Sequence, residues 1–334
     1  MPGKLYAFVT DCQDGDSTAR TEVVDIDVSS CRGFSDMARQ MYLSGGFTAK
    51  KLGMAADILE DMMADGAFVF LSFPADIVST GTRGVIKELV RRKMANAIIT
   101  TCGTLDHDIA RSVKKYYHGD FLLDDRELRR RHINRLGNIL IPDASYGTAI
   151  ERFVQPLLED IYKKGKRRIA PFELISIIGE RLPESSILHW ASKNSIPVFV
   201  PGITDGSVGS QLWSFWEGHR DFWLDLLAEE HALSDVIFSA EKAGALMIGG
   251  GISKHHTIWW NQFRGGLDYV VYLTTAAEYD GSLSGAQIRE AISWGKVRPR
   301  ARHVTVEGDA TITLPFLVAA LLERLEERKS AGKG

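Results

Sequence analysis

The sequence predicts an α/β fold in which a Rossmann-like parallel sheet carries helices on both faces within a single large domain. Three observations point there. Short apolar runs alternate along the chain with amphipathic helical stretches, those runs lack the polar alternation of a strand with one wet face, and several end in glycine-rich turns. Strands buried on both sides read as continuous apolar runs, and strand followed by helix, repeated, builds a parallel sheet.

In chain order, residues 1–44 are less periodic and read as an N-terminal arm before a domain spanning 45–328. "AFVFLSF" (67–73) is the first strand and "TRGVIKELVRRK" (82–93) the helix after it. "NAIITT" (96–101) is the second strand, followed by the helical "LDHDIARSVKKYY" (105–117). The helix "SILHWASKNS" (186–195) leads into the strand "IPVFVPG" (196–202), and three more strands follow: "GALMIGG" (244–250), "LDYVVYLTT" (267–275) and "HVTVEG" (303–308). "LPFLVAALLERLEERK" (314–329) is a late helix, and 329–334 read as a fraying tail. With no Pro/Gly/Ser-rich linker and no internal repeat, one domain is preferred over two.

The chain has 334 residues, 45% hydrophobic and 25% charged, which is ample for a globular core. Forty basic against forty-three acidic side chains leave a net charge of −3, so no strong field invites nucleic acid or an anionic membrane. The basic runs "RELRRRH" and "KKGKRR" read as solvated surface and are given no site role. Cys12, Cys31 and Cys102 are odd in number and widely spaced, which fits neither a disulfide framework nor a zinc site and points to a reducing cytoplasm. The run "LPFLVAALL" is too short to cross a bilayer.

Ligands of open parallel sheets collect at the carboxyl ends of strands, where helix N-termini and bare amides accept phosphate charge. Four glycine-bearing turns fall at such ends: Ser79 to Gly81, Thr100 to Asp108, "PGITDGSVGS" with Asp205, Gly206 and Gly209, and "MIGGGISKHH" with Gly249, Gly250 and Gly251. Each turn alone is equally a strand end. Together they favour a dinucleotide, although neither the complete G-x-G-x-x-G fingerprint nor the P-loop pattern is present.

The stretch "EAISWGKVRPR" poses a separate question, because Lys296 follows a tryptophan and a glycine, with Glu290 further back. A lysine attacks carbon only when neutral, and moving its pKa down by roughly 3 units takes about 4 kcal/mol from the site. Trp294 is a wall that would exclude water, and Gly295 a turn that would point the amine inward. The same pattern also describes a surface lysine after a helix. Glu290 and Trp294, four apart, suit a cationic ligand through charge and cation–π attraction of roughly 0.5–2 kcal/mol. His255 and His256 point in different directions and make a poor metal pair, but either is a credible general base. The pair Trp259 and Trp260 reads as packing.

At this point "GGGISKHHTIWWNQFRGGLDYVVYLTTAAEYDGSLSGAQIREAISWGKVRPRARHVTVEGDATITLPFLVAALLER" resembles the deoxyhypusine synthase family, most closely its archaeal branch. "FVFLSFPADIVSTGTRGVIKELV", "IITTCGTLDHDIA", "YYHGDF", "INRLGNILIP" and "IPVFVPGITDGSVG" are similar to it as well, from about Gly46 to Arg324. The resemblance implies NAD-dependent transfer of the 4-aminobutyl group of spermidine to one lysine of the precursor of translation initiation factor five A, through an imine on Lys296. It implies His255 as base, and Glu290, Trp294, His107, Asp106, Ser210, Gly281, Ser282 and Leu283 around the polyamine. For NAD it implies Ser79, Thr101, Gly103, Asp108, Asp205, Gly249, Gly250, Gly251, Thr275, Ala276, Asp280, Ser284, Asp309 and Ala310. It also implies a homotetramer with sites shared across a dimer interface, and no metal. Eukaryotic members carry acids where this chain has Ser210, Leu283 and His107, which leaves the donor amine open. Transfer to a free amine giving homospermidine is therefore a second reading, and an NAD-dependent amine dehydrogenase a third.

Overall fold

The computed structural model of the chain describes residues 21–331. Its strands are β1 (Phe68–Ser72), β2 (Ala97–Ile99), β3 (Tyr117–His118), β4 (Ile133–Leu136), β5 (Ile139–Pro142), β6 (Arg168–Ile169), β7 (Val198–Phe199), β8 (Trp223–Leu224), β9 (Ala243–Ile248), β10 (Leu267–Thr274) and β11 (Val297–Glu307). Six of them form one parallel sheet in the order β11-β10-β9-β1-β2-β7. Counted along the chain, that order is the doubly wound 3-2-1-4-5-6, and it reverses between β1 and β9. All six overlap the predicted strands.

Alternate residues of each strand enter two separate cores. Val69, Leu71, Ile98, Leu246, Ile248, Val271 and Leu273 face one layer of helices, while Phe70, Ala97, Ile99, Ala245, Met247, Val270 and Tyr272 face the other. This two-sided burial is why the strands show no polar alternation. β11 is longer than "HVTVEG" predicts, starting at Val297, with a register shift between Leu267 and Tyr269 of β10. It is an edge strand, where Arg298, Pro299 and Arg300 are tolerated because one side needs no partner.

The second part of the predicted arm is a helix, Phe34–Leu43, laid against the helices Phe47–Ala64 and Ala310–Ala331. Ser35 N–H donates to Glu323 at 2.7 Å, and Arg39 pairs with Glu327 at 2.6 Å. Residues 329–331, read as tail, continue the last helix. Cys12 lies outside the described residues. The long connection from β2 to β7 holds the helix Cys102–Val113, an antiparallel β3-β5-β4 meander and four further α-helices. No described helix is long and apolar enough to cross a membrane.

Candidate active site

A cleft of about 280 Å³ opens at the carboxyl ends of β1, β9, β10 and β11, beside the point where strand order reverses. Of the residues expected at the cofactor, Ser79, Gly249, Thr275, Asp309 and Ala310 line it. Gly249 and Gly251 take φ of +64° and +66°, a conformation that L side chains resist. No atom lies within 4 Å of where a Cβ on Gly251 would stand. Gly250 has Ser284 on top of it, and Ser284 Oγ accepts from Gly251 N–H at 3.2 Å. Ala276 N–H donates to Thr274 Oγ1, and Asp280 caps the next turn by accepting from Ser282 N–H at 2.7 Å; the Ser282 hydroxyl, and then this N–H, lower its pKa. The turn bearing Ser79 is fixed from behind by Arg111, which donates to the carbonyls of Val78 and Thr80.

Lys296 lies outside the lining of this cleft. The short helix Glu290–Ser293 ends in Trp294, Gly295 follows at φ +68°, and the N–H groups of Gly295 and Lys296 return to the carbonyls of Ile292 and Ala291. This is the left-handed glycine C-cap that closes helices. It turns Lys296 inward, where the residue is 8% exposed. Its Nζ lies 5.1 Å from the Trp294 ring centre and 5.8 Å from that of Trp259. The two indoles are themselves 65% and 42% exposed, so they form a wet mouth around a buried amine. Glu290 stands exposed at the same mouth.

The helix Gly251–Asn261 joins the two regions. At 1.5 Å per residue, His255 is about 6 Å along its axis from Gly251. The His255 ring stacks on Trp259 at 5.8 Å, and burial, followed by the charge of Lys296, holds its pKa below the ordinary value. His256 turns away to Glu230, 3.3 Å from its Nε2, and burial brings its pKa to about 4. Of the two histidines, His255 is therefore the one that faces Lys296. Gly281 adopts φ +70°, and Ser282 and Leu283 follow it on the loop that leads to Glu290.

Three expected ligands are engaged within the chain itself. Asp108, assigned to the cofactor, is fully buried and accepts four hydrogen bonds, from Arg83 Nε, Ser186 Oγ and the N–H groups of Ile187 and Leu188. Its lone pairs are spent on an ion pair and the start of the helix Ile187–Lys193. Asp106, assigned to the polyamine, is 1% exposed and holds the N-terminus of the helix Ser207–Gly218 through Ser207 and Val208, with Tyr146 as a third donor. His107 is buried between Tyr116 and Tyr146, shares a 2.9 Å hydrogen bond with the Tyr116 hydroxyl, and has its pKa pushed down to about 4 by burial. Thr101 and Asp205 lie on the turns after β2 and β7, and Gly103 and Ser210 in the helices that follow them, all four outside the cleft's lining. Of these four, Asp205 and Ser210 are exposed.

Sequence reasoning passed over three contributors. Trp259 was read as packing, yet its spacing of four from His255 places both on one helix face. Lys254 is a buried lysine beside the two histidines, and nothing local distinguishes it from a surface charge. Leu136, Gly137, Asn138 and Ile139, the turn between β4 and β5, form one wall of the cleft. The Gly-Asn pair marks a turn but not where that turn docks.

A family model described as deoxyhypusine synthase matches residues 36–321. A relative named "Probable deoxyhypusine synthase" from Picrophilus torridus is 57% identical over 311 residues, covering 93% of this chain and 100% of its own. A protein of the same name from Thermoplasma acidophilum is 59% identical over 301 residues, covering 90% of this chain and 97% of its own. Among solved structures, a protein described as "a putative deoxyhypusine synthase from Entamoeba histolytica" superposes with a TM-score of 0.60 at 20% identity, over 90% of this chain and 97% of that one, a likeness of fold. Both the family model and the sequence relatives extend over the cleft and Lys296, and the chain belongs to the deoxyhypusine synthase family of transferases.

Proposed function

We propose that this chain transfers the 4-aminobutyl group of spermidine to one lysine of the translation initiation factor five A precursor, with NAD as cofactor and Lys296 as covalent carrier. One observation carries the reading: a buried lysine amine lies between two half-open indole faces and beside His255, about one helical turn from a glycine turn at the sheet's reversal point. The cleft suits a dinucleotide. Left-handed glycines leave room for a pyrophosphate near the N-terminus of an eleven-residue helix, and the Asp309 carboxylate suits a ribose hydroxyl. When bound there, NAD supplies a hydride acceptor for the carbon beside the secondary amine and returns the hydride at the end.

The chain's own groups do the rest. Glu290 neutralises an ammonium of the substrate, and the exposed faces of Trp294 and Trp259 hold its cationic chain. His255 takes the proton of the reacting amine. Lys296 Nζ then forms a C=N bond to the butyl carbon as the C–N bond to 1,3-diaminopropane breaks, and the departing amine receives the proton. The apolar exposure of Trp259, Phe263 and Trp294 around this mouth supports a second subunit covering it, as in a homotetramer with shared sites. Incubation with NAD, labelled spermidine and the factor precursor is expected to label one precursor lysine without net NADH. Label confined to small polyamines would replace this reading with homospermidine synthesis, and steady accumulation of NADH would replace it with amine oxidation.

A further inference from the structure

We infer that Lys254 is a positioning residue whose buried side chain pins the loop 282–286, and so sets where Ser282, Ser284 and Glu290 stand against the glycine turn and Lys296. What the loop does for substrate rests on the function proposed above; how the loop is held does not. Lys254 is 1% exposed, and its Nζ donates to the carbonyls of Leu283 and Ala286, both at 2.7 Å, while lying 3.7 Å from the Tyr272 ring centre. The carbonyl between them, Ser284, accepts from the Tyr272 hydroxyl at 2.6 Å and from Thr274 Oγ1 at 3.0 Å. Three carbonyls of one irregular segment are thus drawn into the fold by side chains of β10 and of the helix Gly251–Asn261.

With those carbonyls turned inward, the loop's serine hydroxyls accept from backbone N–H groups, Ser282 Oγ from Gly285 at 3.2 Å. Ser284 Oγ meets Gly251 N–H, and Gly285 is packed so closely on Ala277 and Asp280 that a Cβ would not fit. The segment then runs through Ile288, whose N–H donates to Thr305 Oγ1, straight into Glu290. A buried ammonium is disfavoured by desolvation, and burial brings the Lys254 pKa down to about 7, with Glu290 acting in the opposite sense. An apolar side chain would fill the volume without that cost, but would leave the Leu283 and Ala286 carbonyls unpaired. The lysine's specific contribution is therefore to the loop.

Hydrogen exchange of the full chain tests this with Lys254→Met, which keeps length but removes the donors, and with Lys254→Arg, which keeps a cation. The expected result for Lys254→Met is exchange of the 282–287 amides faster by about tenfold or more relative to those of β9 and β10, with Lys254→Arg in between. In the same variant KM for spermidine rises by about tenfold while kcat stays within about threefold, the mark of a displaced binding loop. Loop exchange equal to wild type overturns the inference. So does a loss spread evenly over β9, β10 and the loop, which would make Lys254 a core filler. If Lys254→Met does not fold, the same ratio is read in Lys254→Arg. Wild-type protein inert toward spermidine would remove the proposed function and leave the exchange ratio to decide Lys254.

Discussion

Glu229 titrates where the fold can register it. Its side chain, on the helix Leu226–Ser239, is 4% exposed; Oε1 accepts from Val200 N–H at 3.0 Å, and Oε2 has no hydrogen-bond partner among the described residues. Burial raises its pKa from 4.5 to about 7, with the N–H groups of Val200 and Phe172 pulling the other way. Val200 follows β7 and opens the turn bearing Asp205, so this carboxyl ties the helix Leu226–Ser239 to the end of the sheet's edge strand. Between pH 4.5 and about 7 the folded chain keeps a proton that the unfolded chain releases. Stability is then full below about pH 4.5, falls as pH rises to about 7, and is flat beyond. A shift of roughly 2.5 units at 1.36 kcal/mol each amounts to about 3 kcal/mol. Glu229→Gln keeps the acceptor for Val200 and cannot ionise, so its stability lacks this fall. Urea unfolding of both proteins from about pH 4.5 to about pH 8 gives the difference directly, and all other titrating groups cancel in it. That difference is expected to shift by about 3 kcal/mol in favour of the glutamine variant. Parallel profiles would refute the assignment of a protonated carboxyl at this site.

Three further outcomes are expected. Lys296→Arg forms no borohydride-trapped adduct from labelled spermidine and NAD, because arginine stays protonated, and keeps nucleotide affinity within about threefold; an adduct in the variant would discard Lys296 as carrier. Gly295→Ala meets no neighbouring atom, so its cost is the left-handed backbone alone, about 1 kcal/mol in unfolding free energy, with slower adduct formation at Lys296; an unchanged trapping rate would mean the turn does not aim the amine. Asp108→Asn leaves the buried Arg83 without its carboxylate and lowers stability by about 3–5 kcal/mol; a large loss of nucleotide affinity at unchanged stability would return Asp108 to the cofactor site.

The sheet is legible in sequence where burial is complete. All six positions of β9 are buried, so an uninterrupted apolar run is what the chain must show there. The first half of β11 escapes notice because its edge position admits arginines and a proline. The β3-β5-β4 meander is equally hidden, since its strands are two to four residues long and largely half-exposed, too short for a period to declare itself. Periodicity also cannot give strand order. That the cleft lies between β1 and β9 follows from how the crossovers wind.

The site divides along a similar line, between local and distant causes. Trp294, Gly295 and the carbonyls that turn Lys296 inward all lie within five residues of it, so the inward turn is legible in the local sequence. Asp106 and Asp108 instead meet helix starts 101 and 79 residues downstream, and an aspartate that caps a distant helix is identical in sequence to one that binds a ligand. The helix Gly251–Asn261 is the sharper case, because its faces are inverted. Ser253, Lys254, Thr257 and Asn261 are buried with Ile258, while Ile252, His255 and Trp259 look outward. Thr257 Oγ1 and Asn261 Nδ2 donate in the interior to the carbonyls four residues back, at 2.8 and 2.9 Å. A search for an apolar stripe assigns this helix the wrong phase and turns Trp259 into core. Inside, Lys254 donates to the loop above, and outside, Trp259 stands 5.8 Å from Lys296 Nζ. Local rules fail on this helix because its buried face is held by hydrogen bonds as well as by apolar contact.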